Sequence, residues 1–123
     1  MTVITFLPPD ELLSLNDRRH RMAHARLVKI WREHAWAHAI EQVPPPRIHG
    51  PSIVSLELPV RDGRARDPHN YVATLKPILD GITDAGVFVD DNSRWVATTE
   101  PTLTPRAELV VVTITPWRQE LVA

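Results

Sequence analysis

Along residues 53–60, "IVSLELPV", the apolar side chains Val54, Leu56, Leu58 and Val60 alternate with Ser55, Glu57 and Pro59. A period of two predicts a strand with one buried face, and Pro59 places it near a sheet edge, where a missing backbone donor is tolerated. "TVITFL", residues 2–7, is β-branched and apolar, stops at two prolines and predicts an opening strand. From about Met22 to Gln42 the chain is rich in Ala, Leu, Arg, Lys and Glu, without Gly or Pro, until "VPPPR" ends it. That predicts a long helix whose buried side takes Leu27, Ile30, Trp31 and Ile40. Tyr71, Leu75, Ile78, Leu79 and Ile82 recur at helical spacing, but Pro77 predicts a break at Lys76, with the firmer helix from Pro77 to about Asp84. "VFV" (87–89) and "RWVATT" (94–99) read as strands, "EPTLTP" (100–105) as a loop, and "AELVVVTIT" (107–115) as the strongest strand. The order β, α, β, α, β, β, β predicts an α/β (α+β) fold, a small mixed sheet with helices packed on it.

Composition sets the scale of this unit. The 123 residues are 43% hydrophobic, enough for one packed domain spanning 1–123. The formal net charge of −1 with 24% charged residues points neither to a polycation nor to an acidic tail. No cysteine is present, so disulfides, thiolate nucleophiles and cysteine zinc sites are excluded. The opening "MTVITFLPPDELL" has no basic n-region and no long apolar run, so neither signal peptide nor membrane span is expected, and a cytoplasmic location is the expectation.

Chemistry concentrates where the second helix meets the strand after it. Asp67 precedes that helix, and Asp90 and Asp91 follow the strand, so one α–β passage can bring these carboxylates together. Like charges raise the cost of ionising one another unless a cation offsets them. Magnesium takes a few carboxylate oxygens, keeps waters and docks on phosphate. The competing reading is purely structural: Asp67 caps the helix and "DDNS" makes a turn. Lys76 divides the same way, between a phosphate contact and an ion pair with Asp80 four residues on. Basic side chains that can meet a polyanion lie in "DRRHRMAHARLVK", with Arg18, Arg19, Arg21, Arg26 and Lys29, and in "RDGRAR", with Arg61, Arg64 and Arg66. His20 with His24, and His34 with His38, have the i, i+4 spacing of a helical zinc chelate, but no HExxH pattern accompanies them. Trp31, Trp36, Trp95 and Trp117 suit core or interface positions better than base stacking.

The stretch "RDPHNYVATLKPILDGITDAGVFVDD", Arg66 to Asp91, resembles the central motif of the RusA family of Holliday junction resolvases, in which a D-x-D-N element, a Lys, a D-A-L helix and a closing D-D pair occur in this order. The opening "LPPDELLSLNDRR" is similar to the family's Pro-Pro, Asn, basic start. The resemblance implies a RusA-like fold and a magnesium-dependent endonuclease, with manganese as a possible substitute, that cuts branched DNA such as a four-way junction in recombination and repair. It further implies a homodimer, since symmetric resolution needs two cuts, and no organic cofactor. Carried over residue by residue, Asp67 matches the first Asp, Asn70 the Asn, Lys76 the Lys, Asp80 the helix Asp, and Asp90 and Asp91 the closing pair. Asp67 and Asp91 then hold the metal, Asp80 or Asp90 completes it, Lys76 meets phosphate, and Arg18, Arg19, Arg21, Arg64, Arg66 and Asn70 face DNA. Two departures stand out: His69 occupies the place of the family's second Asp, and the interval from Asn70 to Lys76 is longer than the usual motif. An imidazole there can ligate a metal, activate water or only cap the loop, and it is a softer ligand than magnesium prefers. A binding module that has lost cleavage, or an oligomerising structural protein, are the readings from other classes.

Overall fold

The computed structural model describes residues 1–89 and 96–117. Strand β1 (Thr2–Phe6) leads through a loop into helix α1 (Arg21–Ile40), then β2 (Ser52–Val60). A 3-10 turn (Pro68–Tyr71) runs directly into helix α2 (Val72–Asp84), followed by β3 (Val96–Thr98), β4 (Thr102–Pro105) and β5 (Val110–Pro116). The strands form one mixed sheet: β5 lies between β1 and β2, antiparallel to both, and β3 and β4 pair parallel with the other side of β2. The architecture is a small α+β fold with both helices packed on one face of the sheet.

That face is set by the two-residue period. Ile4, Phe6, Val54, Leu56, Leu58, Val110, Val112 and Ile114 point inward and are buried with Leu27, Trp31, Leu75, Ile78 and Ile82 of the helices. β2 is interior in the sheet, although Pro59 predicted an edge. The Val54 and Val60 carbonyls accept from Thr99 and Arg106 on the β3–β4 side, so Pro59, of opposite parity, turns its missing donor toward β5. The pairing of β5 with β2 has already ended at Glu57, and no ladder bond is lost.

The helices meet more closely than the apolar pattern suggests. The buried row on α1 is Leu27, Trp31, Ala35 and Ala39, while Ile40, an expected core residue, is exposed. Against the alanines lies Gly81 of α2, where an added Cβ would stand 2.3 Å from the Arg32 carbonyl oxygen and 3.0 Å from Ala35 Cβ. Small side chains on both sides let the backbones approach, and larger Ile40 is left outside. Pro77 does not break α2 at Lys76. It sits buried within a continuous helix, where burial of Leu75, Ile78 and Ile82 on either side carries the helix past one absent donor.

Two further expectations change. "VFV" supplies a single parallel bridge, Ile48 to Phe88, instead of a strand. "EPTLTP", expected as a loop, contributes β4. The N-terminal loop is tied to α2 by the buried Thr74 hydroxyl, which accepts from Leu13 N–H (2.8 Å) and donates to Leu13 C=O (2.7 Å). The Trp31 indole N–H donates to the Glu11 carbonyl (2.8 Å), so the same loop is held from α1 as well. No helix among the described residues is long and apolar enough to cross a membrane.

Candidate functional site

The segment that carries the family resemblance opens with Asp67 in extended geometry, its carboxylate accepting the backbone N–H of His69 at 3.0 Å. Aspartate makes this N-cap well, because its short side chain reaches a donor two residues on, and Pro68 suits the first position of the turn. Asn70 N–H bonds back to the Asp67 carbonyl, and the Asn70 carbonyl accepts from Leu15 N–H at 2.8 Å. The turn is thereby tied to the N-terminal loop.

Across from it stands Glu100, whose Oε1 lies 3.7 Å from His69 Nδ1. Its position follows from strand register. Ile48 pairs with Phe88, Ser52 with Val96, Val54 with Thr98 and Glu57 with Thr102. The offset along this parallel edge is therefore 40, then 44, then 45 residues. The last step puts one extra residue between β3 and β4, and Glu100 falls in it. An extra residue of this kind turns a side chain out of the regular pleat. No motif marks Glu100 in the sequence, and the signal that finds it is three-dimensional register.

The remaining predicted residues divide into those near this turn and those engaged elsewhere. Lys76 Nζ holds both oxygens of Asp80, at 2.9 and 3.2 Å. Asp80 also has Arg32 at 3.9 Å, and Arg32 is bidentate to Asp84, at 2.7 and 3.0 Å. Asp80 is eight residues into α2, about 12 Å of helix rise from its start, so the described structure does not bring it to Asp67. Asp90 and Asp91, the proposed partners of Asp67, lie outside the described residues, as does Trp95. Among the described residues no group of three or more His, Asp or Glu side chains is arranged to hold a metal ion.

The arginines separate in the same manner. Arg19 is paired with Asp17, Nε to Oδ2 at 2.6 Å, and with Glu11 at 3.1 Å. The hydrogen bond from the Arg19 side chain is the main reason that the Asp17 carboxyl is held below its ordinary range. Arg66 is turned into its own loop, donating to the Asp62 carbonyl (2.8 Å), the Arg64 carbonyl (3.1 Å) and Asp62 Oδ1 (3.2 Å). Arg18, Arg21 and Arg64 are exposed and make no ion pair with the described residues. Neither histidine pair forms a chelate: His20 Nδ1 accepts from Met22 N–H to cap α1, while His34 and His38 pack on Phe6, with His34 Nε2 donating to the Leu7 carbonyl. Burial, then proximity to His38, pushes the His34 pKa down.

Asp67 and Glu100 thus present exposed carboxylates near one turn, with no arginine or lysine matched to either among the described residues. Hard oxygen donors without a countercharge have the chemistry a divalent cation needs, and the matched Asp80 does not. No protein-family model matches the chain, and a search of curated proteins finds no match.

Proposed function

We propose that the chain is a magnesium-dependent endonuclease acting on branched DNA, with Asp67 and Asp91 as the metal-holding carboxylates and Asp90 beside them. The observation that carries this reading is the Asp67 turn, whose carboxylate meets no arginine or lysine among the described residues, placed against Glu100 and directly after an arginine-rich loop. A bound magnesium ion would supply phosphate positioning and a more acidic water. The protein's own part is to hold Asp67 rigidly through its N-cap and to keep cationic side chains close by for the phosphate backbone. His69 donates its backbone N–H to Asp67, and its exposed ring has Nδ1 3.7 Å from Glu100 Oε1. Lys76 is paired with Asp80 but exposed, so its ammonium keeps a donor for a phosphate oxygen in this reading. The working unit in this reading is a pair of identical chains, one for each of two symmetric cuts.

The test is cleavage of a synthetic four-way junction with magnesium or manganese, comparing wild type with Asp91→Asn and Asp67→Asn. Metal-dependent cleavage lost in both variants is the expected result. Junction binding without cleavage by the wild type would replace the enzyme with a binding module, and absence of salt-sensitive DNA binding would leave a structural protein.

A further inference from the structure

Loop 61–66 is a short arginine-rich segment that stabilises itself. Asp62 Oδ1 accepts the Arg64 backbone N–H at 3.0 Å and the Arg66 guanidinium at 3.2 Å, while the same guanidinium spans the Asp62 and Arg64 carbonyls. The Arg66 side chain is only 14% exposed, so its charge is spent inside the loop. The Arg64 N–H, followed by the Arg66 side chain, also holds the Asp62 carboxyl below its ordinary range. Arg61 and Arg64 are left outside, projecting from a backbone that is already ordered.

This loop separates two open clefts. One, of about 520 Å³, lies toward β4 and Glu100; the other, of about 560 Å³, lies toward the N-terminal loop at Glu11 and Ser14, with Tyr71 and Arg61 in its lining. Arg64 lines both. A guanidinium fork on a fixed backbone loses little freedom when it meets phosphate, and from this position it reaches a strand in either cleft.

We propose that loop 61–66 is a preorganised ridge that takes one phosphodiester backbone on each side, with Arg64 bridging the two and Asp62 and Arg66 acting as positioning residues without contacting DNA. This rests on the reading that DNA is the ligand and sharpens it: the ridge favours nucleic acid in which two strands diverge over a linear duplex, which fills one cleft at a time.

The experiment is fluorescence anisotropy with a labelled four-way junction and a linear duplex of the same arm sequence, in EDTA, so that the outcome is independent of cleavage. Arg64→Ala is expected to weaken junction binding about tenfold, lower the salt slope by about one, and weaken duplex binding clearly less. Asp62→Ala is expected to weaken junction binding in the same direction, and Asp62→Asn, which keeps an acceptor for the Arg64 N–H and for Arg66, to restore it. Thermal melts check that each variant folds; Arg64 is exposed and its side chain makes no hydrogen bond or ion pair among the described residues, so that variant stands even if Asp62→Ala does not fold. Wild-type affinity in Arg64→Ala, or equal losses on junction and duplex, would overturn the ridge while leaving the nuclease reading to its own cleavage assay. No DNA binding by wild type would overturn both.

Discussion

Two acidic regions of this molecule are treated oppositely. On the α1–α2 seam, Asp80 and Asp84 are each matched by a cation: Lys76 on Asp80, and Arg32 bidentate on Asp84 with a longer reach to Asp80. At the turn before α2, Asp67 has only a backbone N–H, and Glu100 only a histidine, among the described residues. Both regions fall within or beside the stretch that resembles a nuclease motif, yet among the described residues only the second has carboxylates without a matched arginine or lysine. Asp67 and Asp80, thirteen residues apart in sequence, are separated into a ligand-ready role and a structural role by their places before and within α2.

The structural region can be broken at points well away from the charges. Thr74→Val is expected to have the largest effect on stability, about 2–6 kcal/mol, because the Leu13 N–H and C=O each lose a buried partner at about 1–3 kcal/mol per group. Chemical denaturation checks this, and an unchanged midpoint would show that the N-terminal loop relaxes to find water. Gly81→Ala comes next, at about 1–3 kcal/mol, since its Cβ meets the Arg32 carbonyl and the seam must open. Melting of that variant should also weaken the Arg32–Asp84 pair, detectable as reduced salt sensitivity.

Titration gives smaller effects. The folded pKa of His34 is below its ordinary 6.5. The unfolded chain then binds more protons on acidification, and stability falls as pH drops through about 6.5 toward the folded value. His34→Gln should flatten the melting temperature across that window. Asp84 works further down: its carboxyl is held low chiefly by the hydrogen bond from Arg32, so its contribution is present above the ordinary aspartate range and is lost as pH falls through the folded value. Arg32→Ala should remove that acid dependence, and at neutral pH should cost little because the pair is exposed and screened.

What could be read in advance follows the range of the forces involved. The alternation in residues 53–60 and the Gly- and Pro-free run from Met22 to Gln42 are local, and they placed β2 and α1 within a residue or two, whereas α2 was placed at its end but started five residues late, because Pro77 was expected to break it. Tertiary pairing overrode local signals at Pro59, which is tolerated inside the sheet because β5 stops short of it, and at "EPTLTP", which becomes a strand because β2 offers a parallel edge. Ile40 was misread because the buried row of α1 is chosen by the close approach of Ala35 to Gly81 on the other helix, and small residues carry no apolar signal. Within the candidate site the Asp67 cap was legible from "DPH" alone, whereas Glu100 needed the one-residue register step between β3 and β4. The inward turn of Arg66 depended on Asp62 four residues earlier, and a run of arginines does not reveal which one is spent on its own loop.

The account depends most on Asp67 and Asp91 sharing one cation, and manganese binding measured by electron paramagnetic resonance on wild type, Asp67→Asn, Asp91→Asn and the double variant tests it without requiring activity. The predicted result is a large loss of the same bound population in each single variant and almost no further loss in the double, as expected for two ligands of one ion. Independent, additive losses, or an unchanged bound population in either single variant, would contradict it.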